Sequence, residues 1–581
     1  MLRTVKRQLL FPALILLLAA IVRVAFLDIK PPHFDEGING WFCDQMAKTG
    51  FYAYDPTNYH GPLHFYVLFV SLQLFGRSLW ALRLPVVLAS LLTMFWIFLF
   101  RPFLGRTVCY LAALGMAISP GFIFYDRYSI HESWLVLFLI VTFWGILGIS
   151  TSREPRYFWG FILGLTGMIL TKETYIIHLA AFAAAGCIVL VLRRLTPEGR
   201  SWQRPGVASP KAASKGVANP GVANPGVASP GAAKSVANPG IASNAPPVRD
   251  RLQRRTRLPL RHIIGAILVG VMLIIFFYSG NFRYWRGLEG LYQTFLPWTK
   301  TAVDAAGHGK PDFDLFPLVP PFVAHVPPLG ALANFKLNWY WIRLFLDYEW
   351  FTLAGLLFSF RFFLGGNPAL RFLAIYGLGV LLAYSIVPYK TPWCIISIAW
   401  PFLFLGAALL EFIAKQSNRL VAVLVALPLF AHAAWKSYDL NFVRFDNAKE
   451  RYVYVQTFRE YRNFVDPILE KGAKNPESKT KLSGLVLLSS YFPIPWDLGE
   501  FPNVGYYNAD SAWPQKLDAD FIVVEEDKAD KLEKGLKDRY FTKDFRLRDG
   551  MDESRAYFRY ETFKDIFPNR KPEFEPGRSD E

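Results

Sequence analysis

Directly after its first long apolar run the chain carries His33-Phe34-Asp35-Glu36, two adjacent carboxylates where a membrane segment would end. Further ionisable groups recur beside later apolar runs: Tyr59 and His60 in "YHGPLHF", Arg83 in "ALRLP", and Arg127, His131 and Glu132 in "YDRYSIHES". Lys172 and Glu173 follow in "LTKETY", and Lys390 in "PYKTPW". Charges beside hydrocarbon are costly unless paired or facing water, which makes each a functional candidate. Singly, each has an ordinary role open to it. Asp35 could cap a helix, Lys172 and Lys390 could snorkel to the surface, and Arg83 could anchor at the interface. Cations and carboxylates from five separate segments together favour a site. Asp35, His60 and Glu132 are of the types that hold a divalent cation, but sequence alone does not bring them together. "HESWL" (131–135) lacks the second histidine of a zinc-protease helix, and no G-x-G-x-x-G or Walker loop supports nucleotide binding.

The elements that must position these groups follow from composition. Of 581 residues, 53% are hydrophobic and 16% aromatic and only 19% are charged, which points to a membrane protein rather than a soluble one. The net charge of +17 lies largely in short runs beside apolar segments, so it reads as a topology signal and not as a nucleic-acid surface. Four scattered cysteines form no disulfide or CxxC pattern. The first apolar run is too long for a signal peptide and lacks a small-residue cleavage site, so it is expected to remain as an anchor.

Eleven segments can span: 9–27, 84–100, 108–125, 133–150, 157–171, 175–192, 263–279, 350–364, 372–388, 393–410 and 420–435. The basic stretches "RTVKRQ", "RPFLGR", "TSREPR", 249–261 and "KQSNR" all fall on the cytoplasmic side only if 63–76 does not cross. That 14-residue run is expected to lie in the interface. The reading is an α-helical polytopic membrane protein of about eleven transmembrane helices with a small extracytoplasmic α/β domain at its C-terminus. Residues 1–192 form a first membrane module with a long outer loop (28–83). Residues 193–261 are a basic, low-complexity cytoplasmic linker, expected to be disordered and built on an approximate Gly-Val-Ala-(Asn/Ser)-Pro repeat. Residues 262–436 carry the later helices and an outer loop (281–349), and 437–581 form the outer domain. In that domain "GLVLLSS" (484–490) and "DFIVVEE" (520–526) read as buried strands, "KADKLEKGLKDRY" (528–540) as an amphipathic helix, and "RAYFRYETF" (555–563) as an exposed strand. The expected location is the plasma (inner) membrane, N-terminus inside.

An acidic pair after the first span, a later "HGPL", "RLP" opening the second span and "RYSIHE" before the fourth resemble GT-C glycosyltransferases of the protein O-mannosyltransferase and aminoarabinose transferase type. "HFDEG", "YDPTNYHGPLHFYV", "GHGKP" (307–311), "YEW" (348–350) and "WDLGEFPNVGYY" (496–507) resemble more closely the prokaryotic flippase-activity-associated proteins of that superfamily. The resemblance implies a polyprenyl-phosphate sugar as donor, membrane lipids around it, an unidentified glycan, lipid or protein acceptor, and a site at the outer membrane surface. It places Asp35 at the catalytic carboxylate, Glu36 at its acidic neighbour and Glu132 at a second acidic position that is usually Asp. It also matches Arg83, His60 and Lys172 to family positions, and brings His308 and Lys310 of "GHGKP" into the candidate set. No cofactor follows from it, and a divalent metal ion, held as above, is the one candidate. On this reading Asp35 takes the acceptor's proton, and Arg83, Arg127, Lys172 and Lys390 face the departing phosphate. Tyr59, His60, His131, Glu173, His308 and Lys310 contact substrate. Direct displacement would invert the anomeric carbon. The alternative is a non-catalytic, flippase-associated component that binds or transports the lipid-linked sugar.

Overall fold

The computed structural model describes residues 2–195, 258–308, 314–317 and 336–577. Almost all of the linker, and Lys310 with much of the 281–349 loop, lie outside the described residues. A helix stands at each of the eleven expected spans. Seven are long and apolar enough to cross a membrane: Leu79–Leu104, Glu132–Thr151, Tyr175–Arg194, Leu260–Tyr278, Pro368–Ile386, Pro392–Gln416 and Arg419–Val443. Shorter apolar helices are Leu9–Val24, Leu63–Phe75, Arg106–Ile118 and Trp350–Leu364. The expected 108–125 span is not continuous. It breaks at Ser119-Pro120, where proline has no N–H for the preceding turn, and Ser119 caps the short helix Pro120–Asp126. The 63–76 run is the helix Leu63–Phe75, whose 13 residues reach about 20 Å against a hydrocarbon core of roughly 30 Å.

The helix that follows the first span, Phe34–Thr49, is fixed at both of its faces. His33, not Asp35, is its cap: the His33 ring accepts from the Asp35 N–H at 3.1 Å, and Glu36 reaches back to the His33 N–H at 2.8 Å. Glu36 also accepts from Arg83 at 2.8 and 2.6 Å and from the Ser129 N–H at 2.7 Å. Arg83 spends its remaining donors on the carbonyls of Leu27, Lys30 and Pro31. Both side chains are fully buried. Burial opposes ionisation of Glu36, but the charge and hydrogen bonds of Arg83 and the two backbone donors outweigh it and hold the carboxyl below its ordinary value. A second buried pair, Arg23 with Asp126 at 3.0 Å, joins the end of the first helix to the turn before Glu132.

The C-terminal region folds as a five-stranded sheet. Gly484–Leu487 runs parallel to both Val504–Tyr507 and Phe521–Glu525. Phe521–Glu525 pairs antiparallel with Glu553–Arg559, which pairs antiparallel with Tyr540–Arg546. Its two faces carry separate cores, one around Val486, Val523 and Phe558 under the helix Arg462–Lys474, the other around Leu487, Ile522 and Tyr557. Two expectations change here. The 528–540 helix shrinks to Ala529–Glu533, because Tyr540 begins an alternating strand that the sheet claims. The 553–559 strand is interior rather than exposed, with Ala556, Tyr557 and Phe558 buried between two neighbours.

This domain docks directly on the helix Phe34–Thr49. A Cβ on Gly37 would lie 2.5 Å from Pro493 Cα, and one on Gly40 would sit inside the Trp496 ring, so only glycine admits this contact. Arg77 bonds Asp44 at 2.8 Å and donates to the Trp496 carbonyl, and Arg548 lies over the Phe34 ring.

Two outcomes are expected. Arg83→Met leaves Glu36 buried without its partner and lowers stability by about 3–5 kcal/mol, read as a large drop in detergent melting temperature. At the docking contact, burial pushes the Asp497 carboxyl up to about 7, even though the Tyr461 hydroxyl donates to it at 2.7 Å. The folded state therefore binds this proton more tightly than the unfolded chain does. That contribution is fully present below about pH 4 and lost as pH rises through about 7. Asp497→Asn removes this part of the pH dependence, which melting curves at pH 5 and pH 8 measure directly.

Candidate active site

Two adjoining cavities open beside the helix Phe34–Thr49, of about 330 and 220 Å³. Asp35, Tyr59, His60 and Trp393 line both and form their common wall. Lys172, Glu173, Tyr384, Tyr389 and Tyr454 line the larger cavity. Asn39, Asn58, His131 and Glu132 line the smaller.

Asp35 differs from every other acid here. Its side chain is 36% exposed, and its nearest basic atom is His33 Nδ1 at 3.9 Å. That nitrogen already accepts the Asp35 N–H, while His33 Nε2 lies 2.8 Å from the Tyr454 carbonyl and donates to it. With its lone pair accepting the cap bond, His33 Nδ1 donates no proton to the Asp35 carboxylate. Arg548, over the neighbouring Phe34 ring, is near enough for its charge to be felt by Asp35 but does not bond it. The Asp35 carboxylate therefore faces the cavities with no cation bonded to it among the described residues.

The other charges are matched. Glu132 is paired with Lys172, both buried, and Cys394 Sγ lies 3.8 Å from the same carboxylate oxygen. His60 Nδ1 lies 3.0 Å from Glu173. Local sequence explains this meeting. Gly61 N–H donates to the Thr171 carbonyl at 3.0 Å, and a Cβ on Gly61 would stand 2.3 Å from the Leu170 carbonyl. The glycine of "HGPL" thus lets its loop lie against the "TKE" turn and delivers His60 to Glu173. The His131 ring packs, tilted, between His60 and His64, with ring centroids 4.5 and 4.3 Å away. Burial, the two histidines and Lys172 hold it well below its ordinary pKa and keep it neutral.

Several expected site residues lie elsewhere. Glu36 and Arg83 are consumed by each other and by backbone groups, so neither is available to a substrate. Arg127 donates to the carbonyls of Val22, Arg23, Ala25 and Phe26, closing the C-terminal end of the first helix. Lys390 donates to the carbonyls of Tyr384, Ser385 and Val387, closing the helix Pro368–Ile386 rather than snorkelling. Neither Arg127 nor Lys390 lines either of these two cavities. His308 ends the helix Phe295–His308, and its side chain, like Lys310, is outside the described residues.

The Asp35, His60 and Glu132 set does not fit a metal. Glu132 is held by Lys172 and His60 by Glu173, and among the described residues no three His, Cys, Asp or Glu side chains form a metal-holding group.

Sequence reasoning missed His33, Asn39, Trp393 and Tyr454. For His33 a signal was present, since His33-x-x-Glu36 has the spacing of a capping box. Trp393 and Tyr454 carry no local signal and reach the wall only through the packing of distant segments.

Comparison with known proteins bears on the family. The model of the dolichyl-phosphate-mannose-protein mannosyltransferase family matches residues 59–201. No curated protein matches the chain by sequence. Among solved structures, ArnT from Cupriavidus metallidurans, bound to undecaprenyl phosphate, superposes with a TM-score of 0.52 at 14% identity. That match covers 95% of this chain and 98% of ArnT. An oligosaccharyltransferase from Archaeoglobus fulgidus, tethered to an acceptor peptide, gives 0.45 at 11% identity over 92% of this chain and 72% of its own. The family match covers the segment that carries "HGPL", "RLP" and "RYSIHE", and the fold is similar to that of ArnT over nearly the whole chain.

Proposed function

We propose that the protein transfers a sugar from a polyprenyl-phosphate donor to an acceptor hydroxyl, with Asp35 as general base. The observation that carries this is the isolation of Asp35: it is the carboxylate on the wall common to both cavities, and it alone among the acids there lacks a cationic or imidazole partner bonded to it. The undecaprenyl phosphate bound to ArnT supports the class of donor.

In the step, Asp35 takes the proton of the acceptor hydroxyl as its oxygen bonds to the anomeric carbon. The bond from that carbon to the phosphate oxygen breaks, and its electron pair leaves with the polyprenyl phosphate. A single displacement of this kind inverts the anomeric centre. Lys172, in the wall of the larger cavity, is the cation placed to meet the leaving phosphate, exchanging part of its contact with Glu132 for the new charge. Among the described residues no site for a metal is assembled.

The helices that carry the site support an outward-facing position in the membrane. Glu132 opens the helix Glu132–Thr151 and "TSREPR" follows its other end. Arg83 lies near the start of Leu79–Ile97 and "RPFLGR" follows the far end. With the basic loops inside, the cavities face outward. Cytosolic nucleotide sugars do not reach that side, so a donor carried across on a lipid suits it. The domain after the last span lies on the same outer side.

The binding-only alternative predicts the same cavities and no cleavage. Purified protein, supplied with polyprenyl-phosphate sugars and candidate acceptors, is expected to release polyprenyl phosphate. Asp35→Asn is expected to bind donor normally and to lose at least about 100-fold in release. Turnover at the wild-type rate by the Asp35→Asn variant would remove Asp35 as the base. Donor binding without release by wild type across the acceptor panel would remove the transferase reading itself.

A further inference from the structure

The two cavities differ in charge. Lys172 lines the larger one, whereas the described residues lining the smaller include no lysine or arginine. The smaller chamber instead presents groups with unused hydrogen-bonding capacity. Asn39 is buried, and its amide nitrogen donates to the Ser129 carbonyl at 2.8 Å. Because a carbonyl can only accept, that bond fixes which end of the amide is which. The Asn39 oxygen is left without a donor among the described residues. His131 is 4% exposed, its side chain makes no hydrogen bond to a described residue, and its Nε2 is buried and unpartnered. Buried polar groups are ordinarily bonded, so the unpartnered His131 nitrogen calls for a partner that arrives, and the Asn39 oxygen on the same wall is free to accept from it. Asp35 adds an open carboxylate, and Trp393 and Tyr59 add flat aromatic surface.

We infer that the 220 Å³ chamber is a subsite for one uncharged sugar residue, read by Asn39 and His131, and that it discriminates against anionic sugars. A neutral pyranose offers both hydroxyl donors and acceptors for an amide oxygen and an imidazole, and apolar C–H faces for the aromatic walls. An anionic sugar such as a uronate brings its charge beside Asp35 with no lysine or arginine among the described wall residues to meet it, and such like-charge contacts are strongly disfavoured. The Glu132 charge is already met by Lys172 and does not change this balance. The inference rests on the transferase reading above, and the sugar in question is either that of the donor or that of the acceptor.

The test uses the full chain in detergent or nanodiscs and three probes: bare polyprenyl phosphate, a neutral hexosyl polyprenyl phosphate and a uronyl polyprenyl phosphate. His131→Phe keeps a ring between His60 and His64 but removes both nitrogens. His131→Gln restores a hydrogen-bonding group, and thermal melting verifies that both variants fold. If the chamber holds the donor sugar, the hexosyl lipid binds wild type more tightly than the uronyl lipid. His131→Phe then weakens hexosyl binding about five-fold without changing bare polyprenyl phosphate, and Gln recovers part of the loss. If it holds the acceptor sugar, donor binding is unchanged and the KM for a neutral saccharide acceptor rises by a similar factor, again with rescue by Gln. Equal treatment of hexosyl and uronyl substrates in both arms, or no effect of His131→Phe on either, overturns the inference. Failure of wild type to bind any of the three lipids tells instead against the transferase reading, and so the two failures are distinct.

Discussion

A guanidinium and a carboxylate sealed from water must satisfy each other completely, and the Glu36–Arg83 pair does so while bonding separate stretches of backbone. It draws in the carbonyls of Leu27, Lys30 and Pro31, the N–H groups of His33 and Ser129, and the helix that opens at Leu79. Taking either ion out of water costs several kcal/mol, so the geometry tolerates little drift. This is why two carboxylates stand side by side. Neighbouring positions on a helix point about 100° apart, so anchoring Glu36 inward sets the direction in which Asp35 points. One acid is structural, and its fixed position makes the other available.

The same economy of charge governs the cavities. Glu132 is matched by Lys172 and Glu173 by His60, leaving the Asp35 carboxylate open on the shared wall. Arginines and lysines near the site are mostly employed on carbonyls at helix ends, where the exposed C=O groups of the last turn attract a cation. Arg127 does this for the first helix and Lys390 for Pro368–Ile386. A cation beside a membrane-embedded site is therefore no proof of a substrate contact, because helix ends in the same layer compete for it.

The C-terminal domain is part of this arrangement and not an appendage. Pro493 and Trp496 lie against Gly37 and Gly40, and the Tyr454 carbonyl holds the His33 ring that caps the helix of Asp35. Val455, next along, takes φ = 52°, a left-handed conformation that β-branched residues rarely adopt, at a point that lines the larger cavity. The sheet domain thus grips one face of the helix, and its connecting strap forms part of the cavity wall.

The helices, the C-terminal sheet domain and the five charged segments could be read from residue order alone, because apolar run length and charge asymmetry act locally along the chain. The glycine of "HGPL" and the His33-x-x-Glu36 cap were within reach for the same reason. The extent of the 528–540 helix and the burial of 553–559 were not, since sheet pairing with Phe521–Glu525 and Tyr540–Arg546 overrides local preference there. Nor could sequence sort the charged residues by role. Asp35, Glu36 and Glu132 are alike in one dimension, and Arg83, Arg127, Lys172 and Lys390 are alike too. What separates them is which partner each meets across long stretches of intervening chain. Sequence determined that charged groups would gather at one end of the helices, because hydrocarbon excludes them from the middle. Tertiary structure decided which of them stays unpaired, because pairing depends on distances that only packing sets.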